Sequence, residues 1–543
     1  MAASSAAATV TGPSPVTMQF PLTRSGDSAY AAWIRYATED GTAIAGSDYT
    51  VASGAVEIPA GATSASIPVQ IAGASSASPD KQFTLNLLGA TGVGPTPDFA
   101  AQQTFATGTA PSAVTTADVN GDGSADLIIA DASDDSVSVR LNTTAPGAAS
   151  PSFASGQSFA VNSTPYAVTT ADLNGDGRPD LIVAHLGSSN VSVLLNTTAP
   201  GEAGATTLSF AAHADFATGS ESYAVTAADV NGDGKADLVV ANYYDGSVSV
   251  LLNTTAPGAA SPSFAMHTDF TAGSHPYSVT TADVNGDGMA DLIVANASDN
   301  TVSVLLNSAA AGALAPSFAA HADFATGSSP NSVTAADMNG DGRPDLIVAN
   351  LSDSDTSVLL NSTTPGAASP GFAAQQTFAT GGNPSAVTTA DVNGDGQPDL
   401  IALNLGAPSD LVVLENTTVP GATSASFTAL PVGITGNYSI AVAVADLNGD
   451  GRPDLIAPNF SDDTVSVFLN TTAAPTASAP SFATQQSFAV GSYPLSVTTA
   501  DVNGDGRPDL IIANSNGNLV SVLLNTTAPG AATPSFAAQQ TFA

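Results

Sequence analysis

Apolar and polar residues alternate along short segments of this chain, and the same order of segments returns at a nearly constant interval. In one copy, residues 277–283 (YSVTTAD) alternate, residues 291–296 (DLIVAN) form an apolar run, and residues 301–307 (TVSVLLN) alternate again. Residues 317–326 (SFAAHADFAT) follow after a loop of small residues. Alternation predicts half-buried strands, and a short apolar run predicts a fully buried one. Each copy is therefore predicted to be a unit of four β-strands, without helices.

A nine-residue pattern, D-x-N-G-D-G-x-x-D, separates the first two predicted strands of every unit. It occurs eight times, and successive copies start 54 to 57 residues apart. Four short strands per unit are typical of a propeller blade, whereas the coils of a β-solenoid are usually shorter than about 30 residues. We therefore predict an all-β chain with an eight-bladed β-propeller, seven blades being the open alternative. The copies start at Asp118, Asp172, Asp229, Asp283, Asp337, Asp391, Asp446 and Asp501.

The beginning of the chain lacks this pattern and is predicted to form a separate domain. We place the N-terminal domain at residues 1–93, a linker at residues 94–98 and the propeller at residues 99–543. The Gly and Pro content around the linker favours an irregular connection.

One outer-strand segment, FAAQQTFA, occurs both before the first repeat and after the last one. Its copies are residues 99–106 and 536–543. Eight repeats need eight outer strands, and a closed ring leaves no exposed sheet edge. We predict that residues 99–106 complete the last blade and that the second copy is surplus. In the alternative, residues 536–543 take that place.

The repeated loop carries oxygen donors at fixed spacing, which indicates a site for a hard cation. Positions 1, 3, 5 and 9 are Asp, Asn, Asp and Asp in all eight copies, while position 7 varies and would contribute its backbone carbonyl. Ca²⁺ takes six to eight oxygen ligands, and the glycines at positions 4 and 6 allow the chain to curl around it. We predict about one Ca²⁺ per repeat, eight in all. The predicted ligand residues are Asp118, Asn120, Asp122, Ser124, Asp126, Asp172, Asn174, Asp176, Arg178, Asp180, Asp229, Asn231, Asp233, Lys235, Asp237, Asp283, Asn285, Asp287, Met289, Asp291, Asp337, Asn339, Asp341, Arg343, Asp345, Asp391, Asn393, Asp395, Gln397, Asp399, Asp446, Asn448, Asp450, Arg452, Asp454, Asp501, Asn503, Asp505, Arg507 and Asp509.

Two other interpretations of the loop are weaker. A simple Asx-turn would use one or two such residues rather than three carboxylates, which repel one another when no cation is bound. An EF-hand would need flanking helices and a Glu at position 12, and neither is present in the sequence pattern.

The loop followed by DLIVAN resembles the FG-GAP/VCBS repeat, over about residues 97–543. Members of that family form calcium-binding β-propellers, as in the heads of integrin α-subunits. The resemblance implies metal ligands at positions 1, 3, 5, 7 (carbonyl) and 9. The dipeptides that name the family are reduced here to stretches such as FATGTAP (residues 105–111). This implies the bacterial type of repeat.

The N-terminal segment YATEDGTAIAGSDYTVASGAVEIPAG (residues 36–61) is similar to a Calx-beta domain, which is an immunoglobulin-like β-sandwich. In that family, calcium is bound partly by a later acid-rich segment. Here the corresponding residues 72–83 contain only Asp80 as an acid. Calcium binding by this domain is left open, with a turn-capping role for Asp40 and Asp48 as the alternative.

Composition narrows the possible partners. The chain of 543 residues has 47 Asp plus Glu against 9 Lys plus Arg, a net charge of −38, and no Cys. This charge argues against binding to nucleic acid or to anionic membranes. The absence of Cys excludes disulfides and Cys-ligated metals. No apolar run is long enough to span a membrane, and the first residues lack the regions of a signal peptide. From the predicted domains, we nevertheless expect a secreted or cell-surface protein.

In a propeller the metal loops and the long C–D loops lie on one face, and the B–C and D–A loops lie on the other. The second face, which we call the variable face, differs from unit to unit, and variation on a fixed scaffold is where binding usually occurs. We expect an adhesion or ligand-binding module for a protein or glycan, monomeric or part of a longer chain; neutral surface turns are the alternative. The candidate contact residues are Tyr166, Tyr223, Tyr243, Tyr244 and Tyr277.

No catalytic constellation is recognisable in the sequence, so we expect no enzyme activity. A polysaccharide lyase is the alternative, because some lyases are calcium-rich propellers; His185 and His275 would then be the candidate bases. A structural spacer within a large surface protein is the third hypothesis.

Overall fold

We describe a computed structural model of the chain. The structure describes residues 2–3, 16–23, 31–40, 43, 48–50, 53–58, 64–72, 83–93, 103–144, 152–198, 208–447, 451–472, 482, 485–516 and 518–527. The chain separates into two compact units, the first built on Met1–Pro97 and the second on Asp98–Leu447 and Gly451–Thr526. Over the described ranges, the regular secondary structure consists of β-strands alone. No helix in these ranges is long and apolar enough to cross a membrane.

The N-terminal unit is a β-sandwich of two three-stranded antiparallel sheets. The sheet orders are β1-β2-β5 and β4-β3-β6, and the strands are β1 (Ala2–Ala3), β2 (Val16–Thr23), β3 (Ala31–Asp40), β4 (Ser53–Ile58), β5 (Ser64–Ile71) and β6 (Phe83–Val93). Inward-facing residues alternate along β5, where Ile67 and Val69 are fully buried. The sandwich predicted for this region is confirmed.

The second unit is a ring of eight four-stranded antiparallel blades, as predicted, so the seven-blade alternative is excluded. The innermost strands, A, are β8 (Pro111–Ala117), β12 (Pro165–Ala171), β16 (Ser222–Ala228), β20 (Pro276–Ala282), β24 (Pro330–Ala336), β28 (Asn383–Ala390), β32 (Ala443–Ala445) and β36 (Pro494–Ala500). Strands B are β9 (Asp126–Asp131), β13 (Asp180–His185), β17 (Asp237–Asn242), β21 (Asp291–Asn296), β25 (Asp345–Asn350), β29 (Asp399–Leu405), β33 (Asp454–Asn459) and β37 (Asp509–Asn514).

The two outer strands of each blade follow in the same order. Strands C are β10 (Ser136–Arg140), β14 (Asn190–Leu194), β18 (Ser247–Leu251), β22 (Thr301–Leu305), β26 (Asp355–Leu359), β30 (Asp410–Asn416), β34 (Thr464–Phe468) and β38 (Leu519–Leu523). Strands D are β11 (Gln157–Ala160), β15 (Ala214–Ala217), β19 (Thr268–Thr271), β23 (Ala322–Ala325), β27 (Gln376–Ala379), β31 (Phe427–Ile434), β35 (Gln486–Ala489) and, for blade 8, β7 (Gln103–Ala106).

The apolar cores lie between neighbouring blades, one core at each of the eight junctions. Strand B is buried along its whole length because its two faces pack against two different blades. This explains its continuous apolar run. At the rim, a phenylalanine of each of five strands D meets one from the next blade edge-on, with ring centroids 4.7–4.9 Å apart.

Strand D is shorter than the sequence predicts. In blade 4 the predicted strand covers residues 317–326, but only Ala322–Ala325 pair continuously with strand C. Phe318 instead forms an isolated bridge with Asn307. Phe318 contributes its ring to the junction with the preceding blade, where it packs against Phe270 of blade 3.

An asparagine just beyond strand C links every blade to the one before it. The side-chain amide of Asn253, for example, donates to the carbonyl oxygen of Leu173 in blade 2 at 2.8 Å. We call these residues the clamp asparagines; all are buried. They are Asn142, Asn196, Asn253, Asn307, Asn361, Asn416, Asn470 and Asn525. Most belong to Asn-Thr-Thr tripeptides, and their burial explains these tripeptides as structural elements.

The ring closes through the beginning of the chain. β7 pairs antiparallel with β38, with Ala106 opposite Leu519 and Gln103 opposite Val522. The amide N–H of Thr107 also donates to the carbonyl of Asn518 at 2.7 Å. The prediction that residues 99–106 complete the last blade is confirmed for β7, and the second copy, residues 536–543, lies outside the described residues.

The two copies of FAAQQTFA provide a matched test of ring closure. Neighbouring amides of a strand point to opposite sides, so replacing both Thr104 and Phe105 by proline removes an N–H facing β38. We expect a marked fall in the unfolding temperature, measured by circular dichroism. The same change at Thr541 and Phe542 should leave it nearly unaltered. A larger loss in the second variant would mean that the C-terminal copy closes the ring.

The clamp can be tested at one blade junction. Asn253→Ala leaves the buried carbonyl of Leu173 without this donor, which costs about 1–3 kcal/mol of unfolding free energy. Thr254→Ala, in the same tripeptide but exposed, is the control and should change little. Urea unfolding curves measure both. Equal stabilities of the two variants would contradict the clamp.

Candidate metal centre

The first aspartate of each loop organises the backbone around itself. In blade 3, Asp229 accepts hydrogen bonds from the backbone N–H groups of Gly232 (2.7 Å), Asp233 (3.1 Å) and Gly234 (2.8 Å). The two glycines have φ values of +70° and +84°. Side chains other than Gly rarely adopt this region, so the predicted reason for these glycines is confirmed. The bond from position 6 to position 1 recurs in all eight loops.

Positions 3 and 5 hold each other and also reach the neighbouring blade. The amide oxygen of Asn231 accepts the N–H of Asp233 at 3.0 Å, and Asp233 accepts the N–H of Lys235 at 3.0 Å. The amide group of Asn231 donates to the carbonyl of Ala313 in blade 4, at 3.1 Å. In return, the N–H of Gly312 donates to the carbonyl of Asn231. Each such loop is therefore docked on the C–D loop of the next blade.

The residue at position 7 contributes its side chain to the site, whereas only its backbone carbonyl was predicted to take part. Where it is basic, its side chain bonds within the site: Arg178 lies 2.5 Å from Asp176. Lys235 donates to the carbonyl of Thr255, beyond strand C. A basic residue here partly neutralises the loop, whereas Ser124 and Met289 at the same position bring no charge.

The aspartate at position 9 is the buried member of the site. Asp237 has no exposed surface, and its two oxygens accept the N–H of Val230 (3.0 Å) and of Asn253 (2.7 Å). Both bonds recur in all eight blades. In the seven blades other than blade 7, burial, followed by the nearby loop carboxylates, raises the pKa of this aspartate, while the backbone N–H donors lower it. The pKa is about 6 for Asp237, about 7 for Asp126 and about 8 for Asp509.

These bonds join into a closed circuit around the ring. Asp237 accepts the backbone N–H of Asn253, whose side chain donates to the carbonyl of Leu173; the N–H of Leu173 donates to Asp180 of blade 2. The same sequence of bonds repeats at each junction, including that between blades 1 and 8. Sequence reasoning missed the clamp asparagines, although their presence in all eight copies was a usable signal.

The donor chemistry of the loops fits a hard cation. Each complete loop offers three carboxylates and an amide oxygen, and the buried carboxylate carries the desolvation that a cation would offset. The carboxylates also serve as acceptors for the loop backbone. Within the described residues, no group of three or more His, Cys, Asp or Glu side chains is close enough to hold a metal ion. Asn448 and Asp450 of the seventh loop lie outside those residues.

The candidate calcium residues of the N-terminal unit are only partly covered. Asp40 ends β3, and the carbonyl of Asp48 accepts the N–H of Ala72 at 2.9 Å in a turn. Asp80 lies outside the described residues.

The five tyrosines of the variable face lie together. The hydroxyl groups of Tyr166 and Tyr223 are 3.2 Å apart, and that of Tyr223 donates to Tyr277 at 2.6 Å. These three side chains are half-buried, whereas 63% of Tyr244 is exposed. Tyr243 connects the two groups, with its ring centroid 5.7 Å from that of Tyr223 and 5.2 Å from that of Tyr244.

The two histidines considered as bases have different surroundings. His185 is completely buried, its Nε2 lies 2.9 Å from the hydroxyl of Ser192, and burial lowers its pKa to about 4. It is therefore neutral and remote from solvent. His275 lies on the variable face, with Nδ1 2.7 Å from the hydroxyl of Ser298.

Comparison with protein-family models agrees with the repeat architecture. The FG-GAP-like repeat matches residues 118–183, 172–240, 229–294, 283–348, 337–402 and 446–512. The FG-GAP repeat matches residues 493–533, and the Calx-beta domain matches residues 14–108. No curated protein matches the chain.

Two of the solved structures that match this chain are distant from it. BBS1N in complex with ARL6DN, from a crystal soaked with lead, is 12% identical, with a TM-score of 0.41; the match covers 67% of this chain and 94% of that one. A lectin from Agrocybe aegerita that specifically recognises non-reducing terminal N-acetylglucosamine is 17% identical, with a TM-score of 0.43, covering 79% and 98%. At these values neither likeness carries a functional argument.

Because the FG-GAP-like repeat matches more than half of the chain and the eight blades follow its period, this protein belongs to the FG-GAP repeat family, with a Calx-beta domain preceding its propeller.

Proposed function

We propose that this protein is a calcium-stabilised, non-catalytic propeller that serves as an adhesion or ligand-binding module, secreted or at the cell surface. An FG-GAP propeller behind a Calx-beta domain fits a module of this kind. The observation that supports calcium is the position-9 carboxylate, which is buried in every blade and, in the seven loops that are described completely, is destabilised by two further carboxylates of the same loop.

The side chains at positions 1, 3, 5 and 9 and the carbonyl at position 7 would hold the ion. A bound Ca²⁺ supplies two positive charges to a loop that otherwise contains three like charges. Eight ions would offset 16 of the 38 net negative charges. Since position 9 belongs to the hydrogen-bond circuit, ion binding in one loop stabilises the junction with the neighbouring blade.

The two faces of the propeller differ in how much their side chains vary, which supports separate roles for them. The metal-loop face is nearly the same in every blade and acts as the scaffold. The variable face presents different side chains in each blade, with the aromatic cluster of Tyr243 and Tyr244 among them. Binding on this face requires no catalytic group, and the protein would act as a monomer or as part of a longer chain.

We expect calcium to reverse the pH dependence of stability. Without calcium, the pKa of the position-9 carboxyls is about 6 to 8 in the folded state against an ordinary value of 3.8, so the folded state binds more protons. Stability is then greatest below about pH 4 and is lost as the pH rises through this range. Calcium binds the ionised carboxylates, so in excess calcium stability is lost instead as the pH falls.

Differential scanning calorimetry between about pH 5 and pH 8, in EDTA and in calcium, measures this effect. Identical unfolding temperatures in both solutions at pH 8 would contradict the calcium proposal. As a control for the site, Asp287→Ala should remove one ion from the stoichiometry measured by mass spectrometry under native conditions. Asp299→Ala, in the same blade but on the variable face, should remove none.

The calcium-loaded protein should bind at least one component of an array of extracellular-matrix proteins and glycans, because the variable face offers exposed aromatic rings. Binding should weaken markedly when Tyr244 is replaced by Ser together with its neighbour Tyr243. If no component of the array binds, the alternative of a structural spacer is favoured. Ultraviolet absorbance from unsaturated products on acidic polysaccharides would instead indicate a lyase.

A further inference from the structure

Two aromatic pairs lie on the variable face at equivalent blade junctions. Tyr243, which follows strand B of blade 3, packs against His275, which precedes strand A of blade 4, with ring centroids 4.6 Å apart and ring planes tilted by 56°. Phe460 of blade 7 stacks on Tyr493 of blade 8 at the same distance of 4.6 Å. We call these pairs the first and second platform. They are four junctions apart in an eight-bladed ring and therefore on opposite sides of it.

The fold does not need aromatic residues at these positions. His275 and Tyr493 have φ values of +58° and +55°, a conformation that is uncommon for residues other than Gly. The equivalent residues Ala110, Thr164 and Ser329 adopt φ values of +54° to +56° with small side chains. Bonds to a side chain of the preceding B–C loop hold this conformation: the backbone N–H of Tyr493 donates to the carboxylate of Asp463, as that of Thr164 does to the carboxylate of Asp135. The aromatic rings are therefore additions to a turn that forms without them.

The rings are also unusually exposed. Tyr244 is 63% exposed and Tyr493 is 40% exposed. Tyr244 contacts Tyr243, and its ring centroid lies 6.2 Å from that of His275. Tyr438, whose carbonyl accepts the N–H of Phe460, is 48% exposed. Three of the seven large apolar side chains that are exposed on the described propeller thus lie at the two platforms. Exposed aromatic rings grouped in this way form a candidate binding surface.

The geometry of the rings determines the shape of ligand that fits. In the first platform neighbouring rings lie 4.3–5.7 Å apart and pack against each other, so no group can insert between them. The platform is a closely packed group of tilted rings from which the ring of Tyr244 is exposed, rather than an aromatic cage for a cation. The hydroxyl bonds from Tyr166 through Tyr223 to Tyr277 fix the rings beneath it. A ligand must present a flat face with C–H groups.

Charge determines the class of ligand. The exposed carboxylates of Asp245 and Asp462 flank the first and second platform, and each accepts an N–H of the adjacent D–A loop. Among the described residues, no Lys or Arg belongs to the B–C or D–A loops. Anionic ligands are repelled by such a surface. The hydroxyl groups of a neutral sugar, in contrast, can donate to carboxylates while its ring face packs on tyrosine.

We propose that the two platforms bind neutral pyranose units of one polysaccharide or of one glycan-covered surface. This proposal rests on the proposed function as a ligand-binding module and names its ligand class. Because the platforms lie on the same face, both engage a surface coated with the glycan. Two linked contacts then raise the avidity above either single affinity by about 10²–10⁴-fold.

The test uses the calcium-loaded full chain with neutral hexasaccharides of glucose, mannose, galactose or N-acetylglucosamine, and a galacturonate hexasaccharide as the anionic probe. Titration calorimetry gives the affinity for each. We expect at least one neutral probe to bind and the anionic probe not to bind. Tyr244→Ala should weaken binding at the first platform about tenfold, the loss expected for one aromatic contact. Tyr493→Ala should act in the same way at the second platform.

On a surface coated with the sugar that binds, each single variant should dissociate faster than the unchanged protein. The double variant, which combines Tyr244→Ala with Tyr493→Ala, should not be retained. Leu314→Ala is the matched control, since Leu314 is 91% exposed in a C–D loop on the opposite face. Unchanged melting temperatures show that the variants are folded. The absence of binding to every neutral probe, or equal affinity in the double variant, would overturn the proposal. Binding to a protein on the array without binding to sugars would overturn it while leaving the proposed function intact.

Discussion

The burial of one carboxylate in every blade is the constraint on which the propeller depends. The position-9 aspartate opens strand B, where side chains do not reach water, and an ionised carboxylate in that environment is unfavourable unless it is paired. Its two oxygens accept one N–H from its own loop and one from the clamp asparagine. Because that asparagine also donates to the preceding blade, stabilising the charge in one blade fixes the position of the blade before it. The eight blades thus share one polar network that runs parallel to the apolar cores.

This network explains which residues can vary. The metal-loop face carries the circuit, so a change there removes a partner from a buried group. The variable face closes its turns with backbone N–H groups of the D–A loops that donate to Asp or Asn side chains of the B–C loops, and residues as different as Ala110, Glu221 and Tyr493 adopt the same left-handed conformation there. Side chains on that face can change without a large effect on stability. The aromatic residues of the two platforms occupy positions of this kind.

One pair of residues shows where the variable face is nevertheless restricted. In seven blades a glycine of the D–A loop faces the Asn or Asp that ends strand B, and a Cβ atom on it would lie 2.5–2.8 Å from that side chain. Blade 2 has Asn162 at this place, and there strand B ends in His185 instead. The imidazole of His185 bonds to Ser192, as the asparagines of other blades bond to the equivalent serine. The two exceptions occur in the same blade.

The sequence alone determined the fold class, the four strands of each blade and the positions of the loops and favoured eight blades over seven, because alternation, period and glycine placement are local properties. The duplicated FAAQQTFA segment also predicted how the ring closes. Only the tertiary structure decided which groups meet across a junction. The clamp asparagines bond to carbonyls 77 to 80 residues away along the chain in seven blades and 360 away where the ring closes. Similarly, the packing of Tyr243 against His275 depends on the distance between two blades. No pattern within one blade encodes that distance, since the packing of the complete ring sets it.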